Sequence, residues 1–293
     1  MNKFLTDIRI QFGAAKSLYR LMMINIAVYL LITITQSVFY LFTINPTFLN
    51  MLIEKLSLPA NLSLFVWQPW SIITYMFLHE GFNHILFNML ILYWTGKLFT
   101  EYLGNNKLWA VYIMGGMLGG ILYILSFNLF PVFQNASYAA HLLGASAGVI
   151  AVLVATATLL PDYTVHLLLI GPVKLKYVAI VSVLLYAISI PNGNAGGQIA
   201  HLGGALFGFV MIRQLRNGTD LTSWLVRIFD RSAKSKMKVV ARNKEGKVVA
   251  TPFGPVATQD TIDRILDKIN KSGFDSLTAD EKEILYKVSG KNK

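Results

Sequence analysis

Of the 293 residues in this chain, 54% are hydrophobic and only 14% charged, with a mean hydropathy of +0.52. Soluble domains carry roughly a quarter charged residues, so a protein lying wholly in water is excluded, and the absence of cysteine excludes a thiol nucleophile and any disulfide. The formal charge of +11 is uneven: residues 1–212 hold nine Lys/Arg against five Asp/Glu, and residues 213–293 hold seventeen against ten, so a basic, polar tail follows an apolar body.

In chain order, a polar segment at 1–18 precedes the first apolar run. No small-residue cleavage site follows that run, so it does not read as a cleaved signal peptide. The run itself, about 20–43, is long enough to cross the ~30 Å hydrocarbon core of a bilayer as a helix. The loop after it is rich in apolar residues between Ile44 and Trp70, ending in Phe65, Trp67 and Trp70, as expected of chain lying at headgroup level. A second span, 81–100, carries His84 and Asn88 four apart and therefore on one helix face. Gly104-Asn105-Asn106 marks the turn to a third span, 107–128, whose Gly115/Gly119 and Gly116/Gly120 pairs favour close helix packing. The fourth, 140–160, lies in a stretch without a charged residue, Ala139 to Pro161, and contains Gly144-Ala145-Ser146-Ala147-Gly148. The fifth and sixth are read at 174–190 and 198–213, the last carrying His201, Gly204 and Gly208.

Beyond the sixth span, residues 215–256 read as a basic amphipathic and linker segment. Leu221–Phe229 is amphipathic, with Trp224, Leu225 and Ile228 expected on the inner leaflet, and Pro252, Gly254 and Pro255 follow. In residues 257–293, Ile262, Ile265, Leu266 and Ile269 recur at helical spacing. Gly273 is a stop signal, and Thr278 to Glu281 form a capping box for a second helix with Ile284, Leu285 and Val288. A hairpin of this size is too small to be stable alone. The clustered Lys/Arg of the tail point to anionic lipid; no motif supports nucleic acid.

Basic residues in the loops set the orientation. Lys3, Arg9, Lys16 and Arg20 precede the first span, Lys97 and Lys107 flank the second turn-around, Lys174 and Lys176 open the fifth span, and Arg213 and Arg216 open the tail. The intervening loops hold only Lys55. Both termini are therefore expected in the cytoplasm. His84 and Asn88 then enter from outside in the first turns of the second span, Ser146 about six residues down a helix beginning near Ala140, and His201 about one turn down the sixth. Polar groups at such depth face a bundle interior or a water-filled cavity. Gly144/Gly148 and Gly204/Gly208 are small-residue pairs that let the fourth and sixth helices touch.

A buried serine with imidazoles at its own level is a candidate nucleophile. Metal chemistry is disfavoured because His79 and His84 are five apart, not the four that puts two ligands on one helix face. Gly144-x-Ser146-x-Gly148 matches the nucleophile elbow of α/β-hydrolases, but no strand precedes it and the only acid before His201 is Asp162, on the opposite side. His141 is near Ser146 in sequence but is expected elsewhere around the same helix, and His166 is on the wrong side. His201 remains as the general base, and His84 with Asn88 as donors to an oxyanion.

Gly144-Ala145-Ser146-Ala147 in the fourth span, Ala200-His201-Leu202-Gly203-Gly204 in the sixth and His84 to Met89 in the second, followed by Gly96 through Glu101 and Gly104, together resemble the rhomboid intramembrane serine proteases of bacterial type. The resemblance covers most of residues 18–214. It implies an all-α membrane protein, a six-helix bundle at 19–214 with a small helical cytoplasmic tail, set in a bacterial inner membrane. It also implies Ser146 as nucleophile, His201 as base and later acid, no third carboxylate and no cofactor. Asn88, His84 and the backbone of Ser146, supported by Ala145, would hold the oxyanion. Substrates would be transmembrane segments of other proteins, cut near the outer face. Family members often carry an aromatic four residues after the serine that stacks on the histidine, and glycine directly after the serine; here Ile150 and Ala147 stand there. The alternative from another class is a rhomboid-like protein that binds or escorts membrane clients without cutting them.

Overall fold

The computed structural model describes residues 17–167, 170–229 and 259–288. The segment 1–16 and the linker at 230–258 lie outside the described residues. The chain divides into two compact units, residues 1–235 and 236–293.

Six principal helices of the first unit stand where six spans are expected: α1 (Ser17–Leu41), then, after α2 (Thr47–Leu56), α3 (Leu62–Trp67) and α4 (Ser71–Thr74) of the outer loop, α5 (Phe82–Leu103), α6 (Asn105–Leu129), α7 (Ser146–Leu159), α8 (Leu175–Ile188) and α9 (Ala195–Arg216). By length and composition α1, α6 and α9 can each cross a membrane. With α7 and α8 each 14 residues long, a rise of ~21 Å, they fall short of a ~30 Å core.

The short α7 is the main departure from the sequence reading, which has a helix from Ala140. Ahead of Ser146 there is instead a short strand at His141–Leu142. Two-residue strands β1 (Leu58–Pro59) and β2 (His141–Leu142) pair antiparallel, Leu58 opposite Leu142 and Pro59 opposite His141. The ladder continues through Ala60 N–H to Ala140 O at 2.9 Å, and Gly144 N–H reaches Tyr75 O at 2.9 Å. Backbone groups in an apolar setting must be satisfied, and here the outer loop satisfies them across some eighty residues of sequence. Gly144, with φ +129°, makes the turn into α7.

Burial explains why α7 is central. It is buried continuously from Ala147 to Ala157, as a helix apolar on all sides should be. Its neighbours approach through glycine: a Cβ added to Gly204 would fall on the carbonyl oxygen of Ala147, and one on Gly208 on that of Ala151. Gly148 serves a different contact, its added Cβ lying 2.7 Å from Tyr112 O on α6. Gly204→Val should therefore be severe, because the obstruction is backbone and cannot swing aside. Overpacking typically costs 1–3 kcal/mol and more where nothing gives. We expect a clear drop in thermal midpoint in detergent, and an unchanged midpoint would refute the helix contact.

By contrast α8 is peripheral, with only Leu175 and Ala179 buried. A hairpin of β3 (Thr164–Leu167) and β4 (Gly171–Lys174) leads into it. There the exposed Asp162 accepts hydrogen bonds from Lys176 (2.9 Å) and Lys174 (3.0 Å), and these hold its carboxyl below the usual carboxylate range. After α9, Asp220 is paired with Lys107 and accepts from the Thr222 N–H at 2.9 Å. This clasp lays α10 (Ser223–Phe229) against the body, so that Leu225 is buried in the main core. Leu225 is thus packed on protein rather than on the inner leaflet; Trp224 is exposed.

In the second unit, α11 (Gln259–Ser272) and α12 (Ala279–Val288) form a hairpin. Gly273, at φ +78°, sends its N–H to Ile269 O at 2.9 Å and ends α11. Thr278 and Glu281 make the reciprocal capping bonds, 2.8 Å from Thr278 N–H to Glu281 Oε2 and 3.3 Å from Glu281 N–H to Thr278 Oγ1. Lys268 closes on Glu281 at 2.8 Å.

Candidate active site

A short turn-to-helix junction and a glycine-mediated helix contact bring two reactive side chains together. Ser146 is the first residue of α7. His201 is on α9, one turn before Gly204, whose contact with Ala147 sets the helix separation. Ser146 Oγ and His201 Nε2 lie 2.6 Å apart. That is hydrogen-bond distance for a nucleophile and its base. The sequence leads one to expect this serine within a helix; the structure places it at the helix start. The first N–H groups of a helix have no intrahelical acceptor, and the positive end of the helix dipole favours negative charge there.

Both side chains line a cavity of about 590 Å³, together with His84, Asn88, His141, Ile150 and Tyr186. Asn88 is buried, and its Nδ2 has no hydrogen-bond partner among the described residues. A buried, unspent donor is costly and is explained if it meets a ligand atom in the cavity. His84 lies across Gly144 from the serine: a Cβ added to Gly144 would be 2.9 Å from His84 Nε2 and 3.6 Å from Ser146 Oγ. Gly144 is therefore not a helix-packing residue, as its pairing with Gly148 suggested. It keeps open the space between His84 and Ser146. Ala145, fully buried, is the residue on which α7 starts, its carbonyl accepting from Val149 N–H at 3.0 Å.

His141 lines the same cavity but sits on β2, not on a helix with Ser146. Its Nδ1 is 3.2 Å from Ala139 O and its Nε2 3.9 Å from Glu54, so its ring is engaged with the outer loop. His166 lies on β3, away from this cavity.

Two further side chains adjoin the site: His79, which the sequence offers only as a disfavoured metal ligand, and Tyr186, which no motif in the sequence marks. His79, buried, packs edge-on against His84 with ring centroids 5.1 Å apart. Tyr186 on α8 packs against His201 at 4.4 Å, inclined by 55°. His201 Nδ1 is buried without a hydrogen-bond partner among the described residues. The ring's far nitrogen is not held by a side chain there, and the ring packs against the tyrosine. Ile150 stands where an aromatic was expected from the family pattern, and the aromatic comes from another helix.

The rhomboid domain matches residues 66–217 of this chain, and a family of unknown function (DUF6576) matches residues 256–291. Among curated proteins, "Rhomboid-like protein 14, mitochondrial" of Arabidopsis thaliana is 24% identical over 196 residues, covering 61% of this chain and 57% of the relative. "RHOMBOID-like protein 12, mitochondrial" and "RHOMBOID-like protein 6, mitochondrial" of the same plant are each 27% identical, over 157 and 160 residues, covering 50% and 52% of this chain and 47% of each relative. The chain thus spans about half the length of the curated relatives it matches. Structure and similarity define an all-α membrane protein. The chain belongs to the rhomboid family. Its relatives are named mitochondrial and lend nothing to the bacterial inner membrane expected from the sequence.

Proposed function

We propose that this chain is an intramembrane serine endopeptidase acting through a Ser146–His201 dyad on transmembrane segments. The observation that carries the reading is the 2.6 Å approach of Ser146 Oγ to His201 Nε2 inside a cavity that also holds unspent donors. Ser146 Oγ attacks the scissile carbonyl carbon while His201 Nε2 takes its proton. The carbonyl oxygen, now an anion, is met by the Ser146 N–H, Asn88 Nδ2 and His84. His201 returns the proton to the leaving amine, and water, activated by the same nitrogen, then hydrolyses the acyl-serine. Positioned donors of this kind are usually the largest single contribution to such catalysis. The alternation of basic loops supports both termini in the cytoplasm and cleavage near the outer face.

Tyr186 is a positioning residue in this scheme. A fluorophosphonate, whose phosphorus is attacked by an activated serine oxygen with loss of fluoride as the base removes the hydroxyl proton, tests serine and orientation together. It should label Ser146 in the full chain and fail with His201→Ala. Tyr186→Leu should slow labelling about tenfold while Tyr186→Phe, which keeps the ring, should label at nearly the native rate with the same thermal midpoint. Labelling elsewhere than Ser146 would refute the dyad. Equal rates for Leu and Phe at position 186 would refute the positioning role.

A further inference from the structure

A second cavity, of about 610 Å³, opens between α7, α8 and α9 and does not include the dyad. Its walls are apolar, formed by residues such as Val154, Val183, Leu184, Leu206 and Phe209. Of its polar lining residues, Thr158 is already committed, its hydroxyl donating to Val154 O at 2.7 Å. The others are three cations gathered at one end, Lys176, Arg213 and Arg216, and no acid among the described residues lines the cleft. Leu184 and Leu206 are half exposed, so the cleft opens sideways on the apolar belt of the bundle.

We propose that this cleft binds one anionic phospholipid of the inner leaflet, its acyl chain between α8 and α9 and its phosphate among Lys176, Arg213 and Arg216. Length fits: along α9 the cleft runs from Leu202 to Arg216, ~21 Å of helix, enough for one leaflet's ~15 Å of hydrocarbon and the headgroup below it. Polarity fits as well, since the walls offer nothing to a water-soluble metabolite and the cations lie on the side where basic loops belong. Basic pockets between helices on that side suit anionic headgroups. Arg216 is pre-set for the task. Its Nη2 is pinned on the last carbonyls of α7, 2.7 Å from Thr158 O and 3.2 Å from Leu159 O, and a guanidinium has five N–H donors in all. Lys176 shares the single Asp162 with Lys174, so positive charge remains at the cleft mouth. The lipid would also brace α8, which buries little of its own surface and carries Tyr186 on the same stripe as Ala179 and Val183.

Native mass spectrometry of the full chain in neutral detergent, titrated with dioleoyl phosphatidylglycerol or dioleoyl phosphatidylcholine, tests the site without any assay of activity. One phosphatidylglycerol should be retained per chain, at least tenfold more tightly than phosphatidylcholine. Lys176→Gln with Arg213→Gln should weaken it roughly twenty-five-fold, about fivefold per charge near a headgroup, with phosphatidylcholine unaffected. Ile180→Trp, which narrows the cleft at its exposed rim, should weaken retention with all three cations in place, and keeps the proposal testable if the double variant does not fold. Inorganic phosphate alone should not bind. Equal retention of the two lipids, indifference to either variant, or binding of free phosphate with the same dependence on Lys176 and Arg213 would overturn the proposal.

Discussion

Ser146→Ala and His201→Ala are each expected to abolish turnover, by something near the ~10⁶-fold loss seen when a nucleophile or its base is removed, and the double variant should be no worse. In the proposed mechanism the two act as one unit, the proton crossing the 2.6 Å contact; losing either end leaves the other without a task. The competing base is His141, which shares the cavity. Its nitrogens are turned to Ala139 and Glu54, so His141→Ala should be close to neutral in a folded protein. Rate constants for the three alanine variants decide between them. Loss of activity in His141→Ala with retention in His201→Ala would reverse the assignment.

Asn88→Ala should cost ~10²–10³ in kcat, the usual penalty for removing one oxyanion donor, and leave KM within a few-fold. Stability should rise slightly or stay level, because the buried Nδ2 has no partner among the described residues to lose. This combination separates a catalytic donor from a structural asparagine, which would lose stability and activity together. His84→Ala should show a similar fall in kcat. An unchanged kcat for Asn88→Ala would remove it from the site.

Much of the site was legible because its chemistry is local. Ser146, His201, His84 and Asn88 each sit in an apolar stretch where a polar side chain is expensive, and the alternation of charge in the loops leads one to expect them at one depth. What was hidden depends on partners remote in sequence. Ala139 to Ala145 is uncharged and mostly apolar, as a helix in lipid would be, and only the pairing of His141 and Leu142 with Pro59 and Leu58 reveals a strand there. Gly144 was therefore read as a packing residue when its φ of +129° and its place beside His84 give it another role. Ile150 left the orientation of His201 open, since nothing in the sequence ties Tyr186 to a histidine on the next helix. Leu225 looked lipid-facing because the Lys107–Asp220 clasp that folds it inward joins residues more than a hundred positions apart. The glycine pairs of α6 and α9 were legible as close contacts, whereas their partners were not: carbonyls for Gly119, Gly204 and Gly208, and the side chains of Met76 and Leu58 for Gly116 and Gly120.

The proposed dyad cuts a membrane-embedded chain. A helical carbonyl is shielded, so the segment must unwind before Ser146 reaches it, and each Gly lowers that cost by up to ~1 kcal/mol. The most direct measurement reconstitutes the full chain in liposomes with a single-span substrate bearing Gly and Pro near its outer end, and follows the cleavage product by mass. A cut beside a small residue in that outer region is expected, slowed when Leu and Ala replace the helix breakers and absent with Ser146→Ala. A folded wild-type chain that holds the substrate without cutting it, or a product that persists with Ser146→Ala, would contradict the account.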